Sequence, residues 1–285
     1  MMGMDIDKIK EQMAPRLDTH GLDAKTIRTH LGEHPWRVYL FAETDSTNTM
    51  LKKMAQEGTS AGTVIVADRQ TGGRGRLGRP FLSPGGVGVY LSALIRPDCA
   101  PIELMHLTCA VAVAMCEAGE NAFGFRPGIK WTNDLVVGTK KLGGILTELG
   151  LDPKTGRVSY AVLGIGINCG QTEADFDESI RAMATSARMV LGRPADRDRL
   201  IAEMVKALEQ MDRALLTSPE AMLERYRADC ITLGREVSIV RGDEVRHATA
   251  LDIDAEGGLI VRYDTGETAA VTSGEVSVRG LYGYL

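Results

Sequence analysis

The chain has 285 residues, 44% hydrophobic and 25% charged, a composition that supports one large globular domain plus a small one. Its formal net charge of −5 argues against duplex DNA as the main partner, because affinity for a duplex rests on neutralising phosphates with a basic face. The five cysteines contain no CxxC pair, which argues against a zinc knuckle or a redox dithiol; their odd number, with no signal peptide at the start, points to a reducing cytoplasm.

In chain order, residues 1 to 35 read as a short amphipathic leader with helical patches. His30 and His34 are four apart, as a helical metal pair would be, but Gly32 lies between them and Pro35 follows, so they read as surface residues near a helix end. A catalytic domain over 36–230 begins with a strand at Trp36 to Phe41. Asp45 to Asn48 then offers capping side chains to a helix that runs to Gly58. Strands are predicted at Val64 to Ala67 and Gly88 to Ile95. The apolar run Leu107 to Cys116 is too short for a bilayer and reads as a buried helix. Strands resume at Ile129 to Trp131, Leu135 to Val137, Leu142 to Leu149 and Val158 to Ile167. From Asp177 to Asp229 the pattern fits three amphipathic helices separated by Pro194 and Pro219. After Cys230, short alternating runs punctuated by glycine predict a small β-barrel over 231–285. The fold class is α+β: a mixed sheet with helices packed on it, followed by a small SH3-like β-barrel.

The run GGRGRLGRPF, Gly72 to Phe81, is the strongest chemical signal. Arg69, Arg74, Arg76 and Arg79 occur with no acid between them, so the loop offers forked cationic donors to an anion, and its glycines let backbone amides turn inward. Gly73, Gly75 and Gly78 also satisfy GxGxxG after a strand, but a dinucleotide fold needs a helix next. Here Pro80, Pro84, Gly85 and Gly86 follow, which no helix tolerates. Taken singly, every other motif has an ordinary reading: Ser46 and Thr47 as helix caps, Asn133 and Asp134 as a turn, Gly164 and Gly166 as close packing, Lys141 as a strand-edge lysine.

Taken in order, these segments carry a resemblance. STN at Ser46 to Asn48, GRGRLGRPF followed by SPGGVGVYLS, KWTNDL, KKLGGILTEL, GIGIN and the closing SGEVSVR are similar to the motifs of biotin protein ligases over about residues 36 to 280. That family adenylates biotin with ATP and attaches it to a lysine of a biotin carboxyl carrier protein. The resemblance implies that Ser46, Thr47, Asn48 and Gln70 meet the polar ring of biotin. Arg74, Gly75 and Arg76 belong to a loop closing over the carboxylate and phosphate, and Gly144 is the small residue beside the ligand. It places Lys141 between the biotin carboxylate and the α-phosphate, and makes Lys141, Arg76 and Asp134 the catalytic candidates. Arg74, Arg76, Arg79, Lys130, Asn133 and Asn168 fall on the nucleotide side, with Mg²⁺ expected on the leaving pyrophosphate.

The chemistry is consistent with these residue types. A carboxylate and a phosphate must meet, so cations are needed to offset their repulsion. A glycine-rich loop is expected to stay disordered until ligand fills it and then to shield the acyl-adenylate from water. Cys169 reads as a small buried side chain with no histidine nearby in sequence to activate it. Thr132 stands where the KWPND form has proline, Phe81 where tryptophan is usual, and residues 1 to 35 are too few for the winged helix-turn-helix of many bacterial members. The expectation is therefore a cytoplasmic ligase with no operator or membrane partner, with a homodimer left open by exposed sheet edges. A lipoate-type ligase or acyltransferase, or a biotin-sensing regulator, are the rival readings.

Overall fold

A computed structural model describes residues 21–272 and the backbone of 277–280. Residues 1–20 of the expected leader, and parts of the expected barrel and its SGEVSVR ending, lie outside the described residues.

Seven strands form one mixed sheet in the order β1-β2-β3-β7-β6-β5-β4. They are β1 (Arg37–Thr44), β2 (Thr63–Gln70), β3 (Gly88–Ile95), β4 (Gly128–Lys130), β5 (Asp134–Val137), β6 (Lys140–Leu151) and β7 (Val158–Asn168). Only β1 and β2 run parallel; every other neighbour is antiparallel. β3 is buried at every position, which is why GVYLSALI reads as a continuous apolar run broken only by Ser92.

The two faces carry different helices. Helix α1 (Ala24–Leu31) packs on α6 (Arg197–Ala214), which packs on α3 (Leu107–Phe123), and these with α7 (Pro219–Asp229) cover one face. α3 extends beyond the predicted run and, with the turn before it, is long and apolar enough for a membrane span, yet it is the central core helix. It stops at Gly124, whose φ of 80° is the left-handed cap that glycine supplies freely. Leu22, Ile27 and Trp36 join this core, so the described part of the expected leader belongs to the main domain. The other face holds α2 (Thr47–Gln56), whose Leu51, Met54 and Ala55 bury against Ile65, Leu94, Tyr160 and Val162. Between Asp177 and Asp229 there are four helices rather than three: short α4 (Glu178–Arg181) and α5 (Ala187–Leu191) precede α6 and α7.

A buried ion pair fixes the turn after the arginine loop. Arg197 pairs with Asp68 and also donates to Gly88 O at 2.9 Å, while Asp68 accepts from Gly86 N at 2.8 Å.

Strands β8 (Glu236–Arg241), β9 (Glu244–Ile253), β10 (Leu259–Tyr263), β11 (Thr268–Val271) and β12 (Ser277–Gly280) form a second, antiparallel sheet in the order β11-β10-β9-β8-β12. This small all-β unit sits against the main domain through the turn at Gly257. The Trp131 indole donates to Gly257 O at 3.0 Å, and Trp131 N donates to Thr232 Oγ1 at 2.9 Å. Gly257 has φ of 83°, and a Cβ there would lie 2.8 Å from Cys109 Sγ.

Candidate active site

The α2 side of the sheet is built around missing side chains. Pairing register sets Tyr90, Gly166, Gly144, Asp134 and Lys130 side by side across β3, β7, β6, β5 and β4. The neighbouring row is Ser92, Gly164 and Leu146. Residues two apart on a strand share a face, so the spacing of GIGIN puts Gly164 and Gly166 on the same side. A Cβ at Gly164 would lie 2.1 Å from Asn48 Oδ1, and one at Gly166 would lie 2.5 Å from Phe81 Cε1. Asn48 and Phe81 therefore rest directly on backbone. At Gly144 the nearest atoms to a Cβ are Lys141 Cε and Nζ at 3.4 Å and Asp134 Oδ1 at 3.5 Å, so the floor stays open beside the Lys141 amine and the Asp134 carboxylate.

The charged groups gather at this opening. Lys141 Nζ donates to Asp134 Oδ1 at 2.6 Å, with the two side chains 30% and 18% exposed. The Lys141 backbone is held from outside the sheet: its N donates to Met183 O at 2.7 Å and its O accepts from Thr185 N at 2.8 Å. Asn133 exchanges bonds with Ile145, accepting from its N at 2.9 Å and donating Nδ2 to its O at 3.0 Å. That pins the turn and leaves Asn133 Oδ1 to accept from Arg76 at 3.0 Å. Lys130 is buried in the strand next to Asp134.

The arginine loop has a defined course over this site. Gly75 N donates to Arg79 O at 2.8 Å, Phe81 N donates to Gly73 O at 2.9 Å, and Arg74 pairs with Pro80. Between them, Arg76 to Gly78 make one tight turn with Leu77 at φ of 56°. Arg76 reaches inward to Asn133, and burial pulls its pKa down, opposed by nearby Asp134. Arginine's delocalised charge survives such burial. Arg74 reaches the other way, donating to Thr49 Oγ1 on α2 at 2.9 Å, and Arg79 is exposed.

The third part is the N-terminus of α2. Ser46 caps the helix and is buried. Thr47 N and Oγ1 lie 2.9 and 3.1 Å from Gln70 Oε1, and Gln70 Nε2 donates to Ser83 Oγ at 3.0 Å. Asn48 donates Nδ2 to Glu148 Oε2 at 2.9 Å and to Leu146 O at 3.2 Å.

The structure thus brings Ser46, Thr47, Gln70, Arg76, Asn133, Asp134, Lys141 and Gly144 to one face, with Arg74 and Gly75 in the loop above. Two expected contact residues have their amides occupied by protein. Asn48 donates to Leu146 O and Glu148 and accepts from Ser92 at 2.6 Å. Asn168, at the end of β7, donates to Thr185 O at 3.1 Å and accepts from Gln171 Nε2 at 3.3 Å, bracing the segment that holds Lys141. Sequence reasoning missed Ser92, Glu148 and Met183 to Thr185. A serine inside an otherwise apolar strand and an acid inside GGILTEL were the available signals for the first two. Cys169 is fully buried and burial pushes its thiol up to about 12, so it is no nucleophile. No three His, Cys, Asp or Glu side chains gather as a metal cage among the described residues.

Residues 40–168 match the biotin/lipoate A/B protein ligase family, and residues 232–279 match the biotin protein ligase C terminal domain. The chain is 33% identical over 224 residues to the bifunctional ligase/repressor BirA of Bacillus subtilis, an alignment covering 78% of this chain and 68% of that protein. It is 29% identical over 274 residues to the biotin--[acetyl-CoA-carboxylase] ligase of Mycobacterium tuberculosis, covering 94% and 97% of the two. Among solved structures it is similar to the biotin protein ligase from Aquifex aeolicus in complex with biotin and ATP, with a TM-score of 0.73, 29% identity, and coverage of 86% of this chain and 99% of that one.

Proposed function

From the premise that the chain belongs to the biotin/lipoate A/B protein ligase family, we infer that it is a biotin protein ligase whose chemistry runs at the opening beside Gly144. Biotin and ATP give biotinyl-5′-AMP and pyrophosphate, and biotin then passes to a lysine of a carrier protein. The observation that carries the site assignment is the convergence of Lys141, Arg76, Asn133 and Asp134 on a floor without side chains.

In the first step a carboxylate oxygen of biotin attacks the α-phosphorus and pyrophosphate leaves. Two unit charges 4 Å apart repel by about 4 kcal/mol at an effective dielectric of 20. The Lys141 ammonium stands at the edge of the open floor, where it can bridge both anions. Arg76, aimed inward by Asn133, adds a second fixed cation. Mg²⁺ keeps several of its waters and can be held chiefly by substrate phosphates, so such an ion would need no carboxylate cage from the described residues. When bound, the ion neutralises charge on the leaving pyrophosphate.

The arginine loop serves as the lid. It crosses from α2 to the Asn133 turn, so its closure over a filled site keeps water from the mixed anhydride. In the second step the acceptor amine attacks the acyl carbon and AMP leaves. A lysine has an ordinary pKa of about 10.4 and must react as the free amine. Asp134, 18% exposed, is the group placed to orient it and take its proton.

The C-terminal domain match favours biotin over the lipoate-type reading. Five free, buried cysteines suit the cytoplasmic location expected from the sequence. The edge strand β1 supports a homodimer, tested by sedimentation with and without ligand. The function is tested by pyrophosphate release from the purified chain, which should require biotin and ATP together and resist competition by lipoate. Release driven by lipoate alone would overturn it.

A further inference from the structure

Strand β4 ends at Lys130 and β5 begins at Asp134, so residues 131–133 leave the sheet just before the catalytic acid. On one side this turn is tied to β6, where Asn133 and Ile145 exchange bonds. On the other side the ties come from a distant stretch of chain. The Tyr226 hydroxyl donates to Thr132 O at 3.1 Å, and Thr232 Oγ1 accepts from Trp131 N at 2.9 Å. Ile231 N donates to Ile129 O at 2.9 Å just before them. Gly128 permits this close approach, since a Cβ there would lie 2.7 Å from Ile231 Cγ2.

These ties are shielded from water. Tyr226 is fully buried on α7, and Trp131, Thr132 and Thr232 are buried with it. Burial holds the Tyr226 hydroxyl well above its ordinary range, so it keeps its proton and remains a donor at any working pH. A buried carbonyl that loses its donor is costly, which gives the Thr132 peptide a reason to turn if the hydroxyl is removed. Thr132 O lies in the same rigid peptide plane as Asn133 N, so turning that plane swings the Asn133 side chain. Asn133 Oδ1 is the group that receives Arg76 from the lid at 3.0 Å. The direction of Arg76 over the glycine floor is thus set by β6 from one side and by Tyr226 and Thr232 from the other.

We propose that Tyr226 and Thr232 are positioning residues for adenylation: by holding Thr132 O and Trp131 N they fix the angle at which Asn133 carries Arg76 to the reacting phosphate. The proposal rests on the ligase reading above and deepens it. It also accounts for a tyrosine at a fully buried position of α7, where a hydroxyl must find a partner and phenylalanine would need none.

Tyr226→Phe keeps the ring and removes only the hydroxyl. In single-turnover adenylation by the full chain, measured well below its melting temperature with biotin and ATP saturating, the rate should fall by about 10- to 100-fold, the scale for a reacting group displaced by up to about 1 Å. KM for biotin should change by less than about twofold, since Ser46, Thr47 and Gln70 lie on α2 and β2 rather than on this turn. A residue that only stabilises the fold would lower Tm and leave the rate alone. Thr232→Val should slow adenylation in the same way, and Thr232→Ser, which keeps the accepting oxygen, should restore it; this pair decides the question if Tyr226→Phe does not fold. Adding Tyr226→Phe to Asn133→Ala should slow the reaction by less than a further threefold or about that, because the link to Arg76 is already cut. A folded Tyr226→Phe enzyme at the wild-type rate, Thr232→Ser as slow as Thr232→Val, or losses that multiply in the double variant would overturn the proposal alone. A wild type that makes no adenylate from biotin and ATP would remove the underlying reading and the proposal with it.

Discussion

Replacing Lys141 by alanine removes the ammonium that lies 2.6 Å from Asp134 and does two things at once. It deletes a cation worth about 4 kcal/mol against an anion 4 Å away at an effective dielectric of 20. It also leaves the Asp134 carboxylate unpaired beside the two incoming anions. The Lys141 side chain is 30% exposed, so solvent screens part of the first effect. The expected loss in single-turnover adenylation is about 10² to 10³, with no acceptor present. Asp134→Asn in the same chain removes the stranded charge, and two charges about 6 Å apart at a dielectric of about 40 interact by about 1.4 kcal/mol. The double variant should therefore form biotinyl-adenylate about tenfold faster than Lys141→Ala, while Asp134→Asn alone slows transfer to the carrier. Rapid-quench measurement of the adenylate separates these rates. A Lys141→Ala enzyme that adenylates at the wild-type rate, or a double variant slower than the single one, would refute this account of the charges.

Gly257→Ala should destabilise the protein by about 2 kcal/mol or more, since it forces a side chain into φ of 83° and to within 2.8 Å of Cys109 Sγ. Differential scanning calorimetry checks this, and quenching of the Trp131 indole reports whether its bond to Gly257 O is lost. Burial raises the Asp212 carboxyl to about 6, with Glu209 adding to the effect. The folded state then holds the proton more tightly than an unfolded carboxyl near 3.9, so the penalty is absent below about pH 4, grows between pH 4 and 6, and is constant above. Asp212→Asn should accordingly raise Tm by several degrees at pH 7.5 and by nothing at pH 4; an equal gain at both would count against burial as the cause. Cleavage by trypsin at Arg74 to Arg79 should slow when biotin and ATP are added together but not with either alone, and an unchanged rate would argue against the lid.

Much of this was legible in the chain. β3, β6 and β7 follow the apolar runs that predict them, and the ordered motifs brought Lys141, Asp134, Arg76 and Gly144 to one site. What the sequence hid is non-local. Nothing near Leu22 or Ile27 shows that they join the main core, and nothing near Asn168 shows that its amide is spent on Thr185. Where the Asn48 amide goes is likewise non-local: pairing of β6 and β7 places Glu148 and Leu146 where they accept from its nitrogen. Ser92 could be noticed as odd from sequence, but its partners come from a helix 44 residues away.

The backbone on both sides of the Lys141 amide plane is tied to Met183 and Thr185, residues of an irregular connection rather than of the sheet. The rigid strands thus set where the glycine floor lies, while a separate splint sets how far the amine extends over it. Changes in residues 170–186 can retune the chemistry by small shifts of that splint, leaving the core that folds the enzyme untouched. Such a division lets the reaction rate and the stability of the scaffold drift independently under selection.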